Sequence, residues 1–100
     1  MSPADPIQVH LVRECAQRTK YVIDLPEPLS LQAYQELADN LPGILSSVFL
    51  PSGDVLLQIK LLEKEGSITG STNSATLHVL LTKEGHGRLL EHILQELRNQ

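Results

Sequence analysis

Aromatic side chains are scarce in this chain: Tyr21, Tyr34 and Phe49 are the only three in 100 residues, and tryptophan is absent. Proteins that bind single-stranded nucleic acid stack bases on rings, and cofactor pockets often use rings as walls, so the scarcity counts against both. Basic residues are few as well. Eight Lys and Arg against twelve Asp and Glu leave a formal net charge of −4, with no run of Lys or Arg to offset it locally. A phosphate backbone or an anionic membrane surface meets repulsion here, so neither nucleic acid nor membrane is an expected partner. The single cysteine, Cys15, excludes an intramolecular disulfide. No window approaches the roughly 18 apolar residues of a membrane span. Met1-Ser2-Pro3-Ala4-Asp5-Pro6 lacks the basic-then-apolar pattern of a secretory signal. The expectation is a soluble protein of a reducing, cytoplasmic compartment.

Catalytic patterns are missing too. There is no Gly-x-Ser-x-Gly elbow, no His-Glu-x-x-His helix and no dinucleotide fingerprint. Asp24, Glu27, Asp54 and the C-terminal glutamates are dispersed, so no carboxylate pair is set up for acid–base work. His86 and His92 are six apart and fall on different helix faces, while His10 and His78 lie on the less apolar faces of predicted strands, as potential neighbours. Neither spacing makes a metal site. Cys15 has Glu14 beside it and no adjacent histidine, which describes an inert thiol. No cofactor and no metal are expected, and an enzyme, whose residues would have to converge only in three dimensions, ranks third among the readings.

What is present is aliphatic residues in clear periods. Ile7–Arg13 and Lys20–Leu25 alternate with period two and read as strands; Ile7, Val9, Leu11 and then Tyr21, Ile23, Leu25 mark the apolar faces. Ser30 is placed to cap a helix in which Tyr34, Leu37, Ala38 and Leu41 form one stripe, with Leu29 and Tyr34 as a staple and Pro42-Gly43 as the stop. Ile44–Leu50 and Val55–Glu63 read as a hairpin around Pro51-Ser52-Gly53-Asp54, where Gly53 supplies a positive φ. Lys64–Asn73 reads as a long Gly/Ser/Thr-rich loop, Ala75–Leu81 as a strand, and His86–Asn99 as a helix with Leu89, Leu90, Ile93 and Leu97 on one side. The expectation is a single α+β domain over 1–100. It is a two-layer sandwich, a mainly antiparallel sheet of about five strands with two helices on one face, in the order ββαβββα. A ferredoxin-like arrangement is the alternative.

Asn40-Leu41-Pro42-Gly43-Ile44-Leu45 resembles the turn of small-molecule-binding ACT domains, where a Pro-Gly-x-Leu segment enters a helix. The residues after it, Ser46–Leu50, read as strand where the family has helix, so no family role is carried over.

Two functional expectations follow. The first is a non-enzymatic protein-interaction or assembly factor that self-associates, with a homodimer as the commonest form. Val55–Glu63 is apolar on both faces, and Val12, Val22, Leu56, Leu62 and Leu80 fall on the sheet face away from the helices, where a patch would serve a partner. The alternative is a small-ligand or anion-binding regulatory module. It would use Gly66, Ser67, Thr69, Gly70, Ser71, Thr72 and Asn73, whose amides and hydroxyls suit an anion, together with Lys83, His86 and Arg88 at the start of the last helix. A strand lies between these two groups, and its ends are about 20 Å apart. That distance ranks this reading second.

Overall fold

Two strands, a helix, four strands and a helix succeed one another in the computed structural model: β1 (Gln8–Glu14), β2 (Arg18–Asp24), α1 (Leu31–Asn40), β3 (Gly43–Phe49), β4 (Val55–Leu61), β5 (Gly66–Ser71), β6 (Thr76–Thr82) and α2 (His86–Arg98). The structure describes residues 7–14, 17–61, 66–82 and 86–99. The strands form one antiparallel open sheet in the order β1-β2-β6-β5-β4-β3. β3 to β6 are a meander, and β2 joins its inner end. The β2–α1–β3 connection therefore carries the chain across three intervening strands to the far edge, about 19 Å.

Burial is set by the period-two alternation. Tyr21 and Ile23 on β2, Leu77, Val79 and Leu81 on β6, Ile68 on β5, and Leu57, Ile59 and Leu61 on β4 share one face and are buried. Tyr34, Leu37, Ala38 and Leu41 of α1 and Leu89, Ile93 and Leu97 of α2 cover that face. The helices touch each other, with α1 over β3 and β4 and α2 over β6, so both lie on one side. The α+β class, the antiparallel sheet and the two-helix layer match the expectation. The helix signals hold in detail. Ser30 is extended and its Oγ accepts from the Ala33 N–H at 3.1 Å, and the buried stripe is the one its spacing marked out. The hairpin turn contains Gly53 with φ +94°.

Among the described residues the sheet has six strands, where about five were expected. The segment expected as a loop, Lys64–Asn73, contains β5, which pairs with β4 on one side and β6 on the other. Its Gly/Ser/Thr composition hid a period-two pattern: Gly66, Ile68 and Gly70 face the helices, and Ser67 and Thr69 face away. Gly70 is there because nothing larger fits. A Cβ on it would strike the Tyr34 hydroxyl and lie 2.8 Å from Leu77 Cδ2. The buried Tyr34 ring of α1 rests on this glycine, and its hydroxyl donates a long bond, 3.4 Å, to the Ser71 carbonyl.

A candidate interaction surface at the open edge of the sheet

The sheet face opposite the helices carries no second layer among the described residues. Strand register orders its side chains in rows. One row runs Ser46 (β3), Gln58 (β4), Thr69 (β5), His78 (β6), Val22 (β2), His10 (β1). Another runs Ile44, Lys60, Ser67, Leu80, Lys20, Arg13 in the same strand order. The middle of the face is therefore hydroxyl and amide, with Ser67 and Thr69 standing between the two ends.

Of the residues expected on an apolar patch, Leu62 lies outside the described residues. Leu56 is exposed on β4, whereas Val22 and Leu80 are half-buried diagonal neighbours on β2 and β6. The β5 hydroxyls separate Leu56 from that pair. Val12 is the extra residue of a β-bulge between Leu11 and Arg13, at the far edge, and is 54% exposed. These positions do not form one patch, because the missed strand β5 was inserted between them.

The apolar exposure gathers instead at the β3 end. Val48 and Leu56 are directly opposed across β3 and β4; they are 58% and 46% exposed. Ile44, two pairs along on the same face, is 59% exposed, and Phe49, on the helix side of β3 beyond the reach of α1, is 71% exposed. The sequence signal for this cluster was available: no charged residue occurs between Asp39 and Asp54. The two apolar faces of β4 draw the eye in the sequence, and β3 beside it carries the exposed residues. β1, the other edge, also exposes Val9 and Leu11, which face the helix side but lie past both helices. It differs from β3 in carrying His10, Arg13, Glu14 and the bulge.

The expected ligand group is not brought together. Gly66 pairs with Leu81 and so sits at the end of β6 that leads towards α2, while Ser71, Thr72 and Asn73 are at the opposite end of β5. Between them, residues 67–69 are paired with β4 on one side and β6 on the other, and a cradle of free amides has no place there. Ser71 Oγ donates to Asn73 Oδ1 at 2.8 Å, which closes the turn. Lys83 lies outside the described residues; His86 and Arg88 fall in the first turn of α2, with only their backbone described.

His10 and His78 share a row but are held two strands apart by Val22. His10 Nε2 is 2.9 Å from Asp24 Oδ2, and the Thr76 hydroxyl donates to Asp24 Oδ1 at 3.3 Å, so this corner forms a small polar network of its own. Among the described residues no three His, Cys, Asp or Glu side chains come close enough to hold a metal ion, and no helix is long and apolar enough to cross a membrane. An open groove of about 700 Å³ runs between the β2–α1 connection and the end of α2, lined mainly by Ile7, Leu25, Pro28, Leu29, Ala33 and Leu97. Sequence reasoning did not find it, because it joins residues from opposite ends of the chain.

Comparison with family models, with curated proteins and with solved structures finds no match, so nothing about function comes to this chain from a relative.

Proposed function

We propose that this chain is a non-enzymatic interaction or assembly module that docks a protein partner at the β3–β4 end of its sheet. One observation carries the reading: Ile44, Val48, Phe49 and Leu56, four of the eight large apolar side chains exposed among the described residues, sit on two adjacent strands at an open edge. Apolar surface on both sides of one open edge, Ile44, Val48 and Leu56 on the open face and Phe49 on the other, costs free energy in water, and covering it with a partner recovers about 25 cal/mol for each Å² removed. The polar groups elsewhere on the face form a hydrogen-bonded corner and a hydroxyl column.

The test uses Val48→Asp with Leu56→Asp. Both side chains are exposed, so the fold tolerates the change. Tagged wild type and variant are purified gently from the source cells and compared by native mass spectrometry. The wild type should carry a second polypeptide chain, a copy of itself or another protein, that the variant has lost. A variant that keeps every companion of the wild type rules this surface out.

A second reading, a small-ligand module, is favoured by the apolar groove beneath Pro28 and Leu29 rather than by β5. It predicts a wild type that carries a small extra mass, removed by Ala33→Trp.

A further inference from the structure

We infer that β3 is a self-pairing edge: two copies of the chain join β3 to β3 antiparallel about a two-fold axis at Ser46, and the two sheets become one of twelve strands. The inference rests on the interaction reading of the β3–β4 end and names its occupant as a second copy.

Three observations lead there. The first is the contrast between the two edges. β1 carries the devices that keep edges from pairing, a bulge at Leu11/Arg13 and the ionisable His10, Arg13 and Glu14. β3 carries none: Gly43-Ile44-Leu45-Ser46-Ser47-Val48-Phe49 is uncharged, free of proline, and pairs with β4 without a register shift. A chain of net charge −4 meets its own copy with least repulsion along such a segment.

The second is the direction of the main-chain groups. Leu50 N–H donates to the Asp54 carbonyl at 2.9 Å, and antiparallel alternation from that bond turns the even-numbered residues of β3 towards β4. Gly43, Leu45, Ser47 and Phe49 therefore turn their N–H and C=O groups outwards. In the two-fold register Gly43 meets Phe49 of the other copy and Leu45 meets its Ser47. These are the hydrogen-bonded pairs, about eight main-chain bonds in all.

The third is that the side chains complement one another in this register and are out of step when it slips by one residue. On the open face Ile44 lies opposite Val48 of the second copy and Val48 opposite its Ile44. Both are non-hydrogen-bonded pairs, the closer kind, and both bury aliphatic surface that is more than half exposed in the single chain. On the helix side the Phe49 ring lies opposite Gly43, an aromatic–glycine cross-strand pair of the kind that shields an edge glycine. The axis residue, Ser46, is small and meets only itself. The pattern of β3 is thus its own complement, as an isologous contact requires.

An edge of seven residues is about 24 Å long and falls short of the roughly 1,600 Å² of a standard interface, so the dimer is reversible. Sedimentation of the wild-type chain from micromolar to millimolar concentration should show a monomer–dimer equilibrium. The register is read by cysteine cross-linking in a Cys15→Ser background. Ser46→Cys places two thiols on the axis, with Cα atoms about 4.5 Å apart and within disulfide reach. Ser47→Cys leaves them diagonal, about 7–8 Å apart, and should not cross-link. Both positions are exposed, so neither change strains the fold.

A monomer at every concentration overturns the inference. So does a dimer in which Ser47→Cys cross-links as readily as Ser46→Cys. Either result leaves the wider reading standing if Val48→Asp with Leu56→Asp still strips a different protein from the chain, and a loss of both would remove the surface altogether.

Discussion

Replacing Gly70 by alanine separates a packing glycine from a loop glycine. In a flexible loop the substitution stabilises by about 0.4–1 kcal/mol, because it restricts the unfolded chain. In β5 the added Cβ falls 2.8 Å from Leu77 Cδ2 and 3.2 Å from Tyr34 Cζ, and closer still to the Tyr34 hydroxyl. Leu77 is fully buried and Tyr34 is 1% exposed, so neither retreats without moving the helix or the strand. Overpacking of this kind costs about 1–3 kcal/mol, and the entropic gain offsets about a third of the middle of that range, leaving a net loss of about 1–2 kcal/mol. For a domain of this size that lowers Tm by about 5–15 °C. The assay is urea unfolding followed by circular dichroism, with the slope m unchanged. Tyr34→Phe removes the closest atom, so in its background Gly70→Ala should cost about 1 kcal/mol less, a coupling well above the error of additivity. A Gly70→Ala protein as stable as wild type, or a strictly additive double variant, refutes the placement of Gly70 under the ring.

Burial pushes the Tyr34 hydroxyl up to about 12. Between pH about 10 and about 12 the unfolded chain releases that proton and the folded chain does not, so the contribution is complete below 10 and declines above it, by about 2–3 kcal/mol. Tyr34→Phe should flatten the alkaline branch of the stability curve, and parallel curves for the two proteins would contradict this. Ser30→Ala should cost about 1 kcal/mol by leaving the Ala33 amide without its acceptor, measured by the same unfolding assay. Leu37→Ala, at a position with no exposure, should cost about 2–5 kcal/mol, whereas Leu31→Ala, at 46% exposure, should change stability by less than about 1 kcal/mol. Ser46→Lys should weaken self-association several-fold by setting like charges face to face, and an equimolar mixture with Ser46→Glu should recover it; equal dimer in all three samples would contradict the axis position.

Elements whose local signals agreed with their packing were legible from the residues alone. α1 had a cap, a stripe and a Pro-Gly stop, and each is found where its spacing put it. The apolar faces read for β2, β4 and β6 are the buried ones, although Leu56 on β4 and Leu80 on β6 leave the opposite face mixed. β5 was hidden because its helix-facing positions are Gly66, Ile68 and Gly70, so only one aliphatic residue marked a face that the rest of the fold needed small. That error propagated into the candidate surface: with β5 inserted, Leu56 parts from Leu80 and Val22, and an anion loop becomes a paired strand. The β3 cluster was missed for a different reason. Its uncharged run puts apolar residues on both faces, Ile44 and Val48 on one and Leu45 and Phe49 on the other, and the sheet order is what makes β3 an uncovered edge. The groove by Leu25 and Leu97 depends on contact between distant segments, which periodicity does not encode.

Amide hydrogen exchange along Gly43–Phe49 tests most directly whether β3 is a surface that another chain covers. At high dilution the outward amides of Gly43, Leu45, Ser47 and Phe49 should exchange quickly, while those of Ile44, Ser46 and Val48, bonded to β4, stay protected. Raising the protein concentration should slow the odd-numbered set and leave the even-numbered set unchanged. Odd-numbered amides that exchange at one fast rate from the most dilute to the most concentrated sample would contradict self-pairing of this edge.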